Sequence, residues 1–374
     1  MEKTKNPQKY LIWLKIIVIV FLVSGLLIGA LNKGFADKLN DNQQHLVHWL
    51  YLIYENVIRA LIVIISSLLT IKYIKAKNSQ VDSFKVVSLT CFSITMFLLF
   101  IVLPIVTNFW ELYSAFMPFP WSTMPLQIIA KGKFFSYDFH HPYGTAVGQR
   151  IVLYAYFAFQ FIVLTGTVIL GRRWQCSMIC PFGGCHSASF GNALPLKSVK
   201  KTTKTNKKVR KVLEWLKILG FILMIGLFVL WAIYLLTGYE IIPLELLLKF
   251  EMIKYMSLEL MLMYLLWIFF NGRGYCYYCP AGMMLGILGR GVGQQIKTDL
   301  TKCTDCGLCN DACRMGIDIR SKALSGQPVT DLNCIGCDQC VAACPHDNLE
   351  YSTNLLTKIK VWRESKEKYQ ELET

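Results

Sequence analysis

Apolar residues in this 374-residue chain gather into runs that approach the length of a membrane crossing. Six stand out: Leu11–Leu31, Trp49–Ile71, Val86–Thr107, Ile151–Gly171, Ile218–Thr237 and Tyr255–Asn271. At about 1.5 Å per residue, about 20 residues cover the roughly 30 Å hydrocarbon core of a bilayer. Buried core helices are also apolar, but six such runs leave too little polar surface for a soluble protein. The first run follows a basic start, MEKTKNPQK, yet exceeds the apolar part of a signal peptide and lacks an A-x-A-like site after it. It reads as a retained helix. The pattern predicts a polytopic α-helical membrane domain of about six helices over residues 1–298. A cysteine-rich segment at 299–352 and a charged tail at 353–374 follow.

Composition agrees: 54% of residues are apolar and only 17% charged, with a mean hydropathy of +0.41. Soluble domains carry about a quarter charged residues. The formal charge of +15 suggests nucleic acid until its placement is considered. From Arg172 to Lys211 there are ten basic residues and no acidic one, including KSVKKTTKTNKKVRK. Positive-inside bias then puts both termini and this linker in the cytoplasm, the linker beside anionic lipid, in a multi-pass cell-membrane protein. Nucleic acid is not expected as a partner.

The chain has 14 cysteines, and all but Cys91 fall on the predicted cytoplasmic side, where thiols stay reduced. Cys91, alone in the third run, reads as a small apolar core residue. Residues 303–313, CTDCGLCNDAC, and 334–345, CIGCDQCVAACP, are both C-x2-C-x2-C-x3-C. Thiolates on such tight loops reach three corners of an iron–sulfur cube, and the x3 step sends the fourth cysteine away. A zinc ribbon would instead need four ligands in two pairs. Residues 299–352 resemble the bacterial two-cluster ferredoxin family, an α+β fold. The resemblance implies two [4Fe–4S] clusters with crossed ligands: Cys303, Cys306, Cys309 and Cys344 for one, Cys334, Cys337, Cys340 and Cys313 for the other. Pro345 follows Cys344 as in the family, but Arg314 follows Cys313, which puts a positive charge near the clusters.

Two further cysteine pairs close apolar runs. GRRWQCSMICPFGGC carries Cys176 and Cys180, and GRGYCYYCPAG carries Cys276 and Cys279. Each begins Gly-Arg and ends Pro-x-Gly, an internal repeat over 171–185 and 272–282 in which proline ends a helix. Spans, elbows and a two-cluster ferredoxin in this order resemble membrane-bound polyferredoxins of the NapH, NosR and CcoG types over roughly residues 86–352. The second elbow departs from their CxxxCP spacing. Only LLTKIKVWRESKEKYQELET follows where CcoG-type proteins carry a globular extension, and no Ser-Gly-x-Thr sequence for a covalent flavin is present. The elbow cysteines read either as structural groups, small buried thiols or a disulfide, or as a redox centre, binding a further cluster or serving a quinone. Cys185 and His186 lie just beyond the first elbow, as substitute ligands or as bystanders.

Glu55 and Arg59, i and i+4 within the second run, suit an internal ion pair, a proton path or a quinone contact. His45, His48, His140 and His141 fall on the outer side as candidate metal ligands, otherwise plain surface groups. The loop Asn108–Gln149, with FMPFPWSTMPL, is long enough to form a partner or quinone surface. No acid–base or nucleophile constellation appears, so a redox subunit without its own organic substrate is expected. It would pass electrons between a cytoplasmic donor or acceptor and a quinone or redox enzyme in the membrane. The alternatives are a CcoG-like maturation factor reducing a metal or thiol, and a redox-sensing regulator.

Overall fold

A computed structural model describes residues 7–34, 39–77, 83–120, 123, 126, 146–171, 173–196 and 207–362. His140 and His141, most of the loop 108–149 and most of the basic linker lie outside these residues.

Among the described residues, six helices are long and apolar enough to cross a membrane. They are α1 (Pro7–Asn32), α2 (Asp41–Lys77), α3 (Ser83–Thr107), α4 (Ala146–Leu170), α6 (Lys207–Thr237) and α7 (Lys249–Phe269). The short α5 (Gly183–Ser189) lies between α4 and α6. After α7 come α8 (Gly274–Tyr278) and α9 (Pro280–Gly291). Outward faces are apolar, with Ile12, Ile16, Val23, Leu61, Ile65, Phe161 and Ile222 exposed.

Several helices run past the apolar segments that announce them. α2 begins at Asp41, where the Gln43 side chain accepts from the Asn40 N–H, the return half of a capping box. α6 begins in the basic linker, so KKVRKVLEWLK is helical rather than loop. In α3, Pro104 would clash with the carbonyl four residues earlier. A wide π-turn at Leu98–Val102 opens the helix there.

Beyond α9, strand β1 (Gln295–Thr298) leads into α10 (Leu308–Ala312), α11 (Ile319–Leu324) and α12 (Gln339–Ala342), and strand β2 (Leu349–Ser352) returns. The strands pair antiparallel, Gln295 opposite Ser352 and Thr298 opposite Leu349, with Val329 bridged to Ile296. β1 precedes the cysteine-rich segment as read from sequence, because four half-polar residues give no legible alternation.

A two-stranded sheet is marginal alone. Here Ile296, Met315, Ile317, Val329 and Ile335 belong to the same buried cluster as Tyr275, Trp267 and Trp231 of the helical bundle. The cysteine-rich segment is therefore packed onto the bundle instead of trailing from it. Gly286 of α9 faces the Leu332 backbone oxygen so closely that a side chain has no room.

Candidate iron–sulfur and redox site

The two cysteine motifs fold into matching loops. In each, the second residue after the first cysteine and the residue after the second cysteine have positive φ: Asp305 (59°) and Gly307 (74°) in one, Gly336 (65°) and Asp338 (53°) in the other. Such left-handed residues curl the backbone round a concave centre and turn N–H groups inward. The Gly336 N–H, for example, donates to the Cys334 sulfur. Outside the first loop, the Arg320 guanidinium grips the Asp305 carboxylate at 2.5 and 2.7 Å, though both are well exposed.

Cys313, Cys334, Cys337 and Cys340 line one cavity of about 520 Å³, its open mouth included, with Ile296, Ile317 and Ile335 among its apolar walls. The other set lies nearer solvent: Cys309 interacts electrostatically with Cys306 and Cys344, and Cys306 is exposed. Among the described residues no three His, Cys, Asp or Glu side chains close on a single-ion position. A ring of thiols round a space, rather than round a point, fits a multi-iron cube, whose ligands stand farther apart than those of a lone ion. Burial pushes the Cys334 thiol up to about 12 and raises Cys313 and Cys340. These thiols stay protonated until a cation displaces the proton.

The elbows are also built alike, one residue apart in length. Cys180 and Cys279 are both extended (ψ 113° and 117°), as the residue before a proline must be. The first elbow reaches that point through a π-turn, Gln175–Ile179, closed by the Cys180 N–H on the Gln175 carbonyl at 2.6 Å. The second does so through the α-turn Gly274–Tyr278. A π-turn absorbs one extra residue, so C-x3-C and C-x2-C present their cysteines equivalently.

Phe182 stacks on Tyr275 at 6.0 Å, and Gly183 leaves room for that Tyr275 ring. Arg273 donates to the Cys176 carbonyl at 3.0 Å and lies 3.8 Å from the Cys276 sulfur. Cys176, Cys180, Cys276 and Cys279 are near enough to interact electrostatically with one another. Burial raises Cys180 to about 12 and Cys279 further, each also disfavoured by charge on Cys176. Cys185 and His186 stand to one side, Sγ and Nδ1 3.2 Å apart.

Basic side chains join the elbows to the motifs. Arg173 donates to the Leu332 and Asn333 carbonyls, and Arg314 to the Gly191 carbonyl and Asn192. Asn271 and Tyr277 both donate to the Arg314 carbonyl, and Gln294 to that of Cys334. Lys217 donates to Asn333, and Arg210 to Gly316 and Asp331. The charge of Arg273 is favoured by Cys276 and Cys176 on one side and Cys337 on the other, against the cost of burial. Aligning the elbows by Gly-Arg is thus one residue out of step. The matched arginines are Arg173 and Arg273, each three before the first cysteine, and Arg172 is outside the described residues.

Above the first elbow, α1, α2 and α7 enclose a cavity of about 990 Å³, open mouth included. Two π-turns, Tyr54–Ile58 and Tyr255–Leu262, border it. Glu55 and Arg59 pair at 2.5 Å, with Arg59 under the Phe100 ring. Lys254 pairs with Glu251 and Glu259 at 2.9 and 3.2 Å. The second ionic cluster is invisible to a scan for spans, since its charges sit at the polar edge of a weak apolar run. His45 is exposed at the far end of α2, where no metal-ligating group forms among the described residues.

Residues 295–345 match the family model of the 4Fe-4S dicluster domain. A protein of unknown function from Methanocaldococcus jannaschii is 28% identical over 206 residues, 55% of this chain and 74% of that one. No solved structure matches. The chain carries a 4Fe-4S dicluster ferredoxin domain near its C-terminus.

Burial, with the Arg59 charge second, holds His186 down to about 3 from its usual 6.5. The unfolded chain takes up this proton below about 6.5 while the folded chain does not. Stability is therefore complete above that pH and lost as it falls toward the folded value. His186→Gln should remove about 2 kcal/mol of the acid loss between about pH 6.5 and 5. Melting profiles of the two proteins should converge across that window, and parallel profiles would refute the buried neutral ring.

Proposed function

We propose that this protein relays electrons between a cytoplasmic redox partner and a quinone or redox enzyme in the cell membrane. The dicluster domain supports an iron–sulfur electron-transfer role in general. The observation that carries the finer reading is the seating of the second motif: its cavity opens beside Arg273, which also touches the elbow cysteines. When bound, [4Fe–4S] clusters supply one-electron exchange. Cys303, Cys306, Cys309 and Cys344 would hold one, and Cys313, Cys334, Cys337 and Cys340 the other. Exposed Cys306 gives the first set a solvent face, while buried Cys340 belongs to the side packed on the bundle. The protein groups hold the clusters, exclude water and offset their negative charge.

The cavity above the elbow suits the membrane end of this route. It offers carboxyls, tyrosines and a neutral imidazole in an apolar surround, the groups a two-proton carrier such as a quinone requires. The six apolar helices and the basic linker support a multi-pass membrane protein with both termini in the cytoplasm. The order of spans, elbows and dicluster domain supports placing the chain with the NapH, NosR and CcoG types.

Cysteine-accessibility labelling in intact cells should find residue 40 outside and an introduced cysteine at residue 374 inside. An external C-terminus would put the clusters in the wrong compartment and overturn the route.

Cys344→Ala should abolish the EPR signal of the cluster held by Cys303, Cys306 and Cys309 and preserve that of its neighbour. Loss of only the 334–340 cluster would show that each motif serves itself.

The relay itself is tested by reducing the purified protein in nanodiscs and following re-oxidation by a water-soluble quinone. Glu259→Gln should slow that step by about a hundredfold or more without changing cluster content. Absence of quinone-driven re-oxidation in the parental protein would sink the quinone assignment.

A further inference from the structure

Two buried arginines stand against the elbow cysteines without an anion. Arg173 is 1% exposed and Arg273 is 5% exposed. Arg173 spends one nitrogen on the Leu332 and Asn333 carbonyls, and its buried Nε has no partner. Among the described residues the Arg273 guanidinium donates to the Cys176 carbonyl and lies against the Cys276 sulfur. Neither forms an ion pair with a carboxylate among the described residues. An isolated charge removed from water costs several kcal/mol unless a counter-charge accompanies it.

The structure assigns that counter-charge: we propose that Cys176, Cys180, Cys276 and Cys279 together hold a third iron–sulfur cluster, framed by Arg173 and Arg273. Two ligands come from each repeat, as the matched extended backbones of Cys180 and Cys279 arrange. Gly184 lets the first elbow fold tightly over its own cysteines, since a side chain there would strike Cys180. On loading, four thiols give up four protons, and four thiolates on an oxidised core of about +2 leave a net charge of about −2. Two guanidiniums balance it. A disulfide would leave both arginines uncompensated, and no three of these thiols close on a single-ion position. The proposal deepens the relay reading and rests on it for its purpose, placing a centre between the second ferredoxin motif and the cavity above the elbow.

The test is iron and sulfide content of the full-length protein, purified without oxygen, with Mössbauer spectra of the same samples. Parental protein should hold about 12 iron per chain, and Cys276→Ser/Cys279→Ser about 8, with both ferredoxin EPR signals intact. A parental value of about 10, with a two-iron spectrum lost in the variant, also supports an elbow cluster. About 8 in both proteins overturns it and leaves the dicluster reading standing, whereas well below 8 in the parental protein would count against both. If the double variant does not accumulate, the parental count alone decides. Arg273→Gln adds a second readout: the midpoint potential of the elbow signal should fall while the distal ferredoxin signal stays in place.

Discussion

Burying positive charge where the helical bundle meets the cysteine motifs is the constraint on which the other features depend. Arg173, Arg273 and Arg314 lie there; Arg173 and Arg314 donate to backbone carbonyls across the junction, and Arg273 to that of Cys176 in the other elbow. Desolvation is severe enough to hold Arg314 down to about 10, with repulsion from Arg273 adding to it. Thiols face it from both sides, Cys337 of the second motif on one and Cys176 and Cys276 of the elbows on the other. Charge-assisted hydrogen bonds from the same arginines to backbone carbonyls then fix how the two parts meet. One set of side chains thus serves docking and charge balance together.

The elbows show how local geometry serves that junction. Proline ends each helical turn and forces the preceding cysteine into extended backbone, so that its side chain leaves the helix axis at a defined point. The two copies differ by one residue between cysteines, and a π-turn in the first removes the difference. Glycines beyond the prolines allow close approach: Gly183 accommodates Tyr275, and Gly282 accommodates the Arg173 guanidinium. A methyl at Gly282 would displace the arginine and with it a contact to the ferredoxin domain. Packing, charge and ligand placement are coupled at single positions.

What could be read from sequence follows from how local each signal is. The cysteine motifs were legible because cluster ligation is written in spacings of two and three residues, and the left-handed positions at Asp305, Gly307, Gly336 and Asp338 lie inside those spacings. The long apolar helices were legible because length and apolar composition are properties of a continuous run of residues. The ion pair of Glu55 and Arg59 was visible as i, i+4 charge within an apolar run. The role of Arg173 was not, because its partners at Leu332 and Asn333 are about 160 residues away. Nor did Arg314 show itself as a clasp for Gly191 and Asn192, although its departure from the ferredoxin pattern marked the position. Lys254 with Glu251 and Glu259 escaped notice because their meaning appears only when α1, α2 and α7 enclose them.

Charge at the junction also bears on how a relay of this kind would be tuned. Each added electron makes a buried centre more negative, and the cost depends on nearby fixed charge and on distance from water. Exposed ion pairs such as Asp305 with Arg320 contribute little, because solvent screens them. Arg273 acts on both sides of the junction at once, since it neighbours Cys276 and Cys337. A guanidinium held there, in low dielectric, favours the reduced form of whichever neighbour carries the electron. The solvent-facing motif has Cys306 open to water. Hydration would then weigh more on its potential, and the neighbouring guanidinium more on that of the buried motif. Two motifs of identical spacing can in this way differ in potential for a reason that lies wholly in what they are docked against.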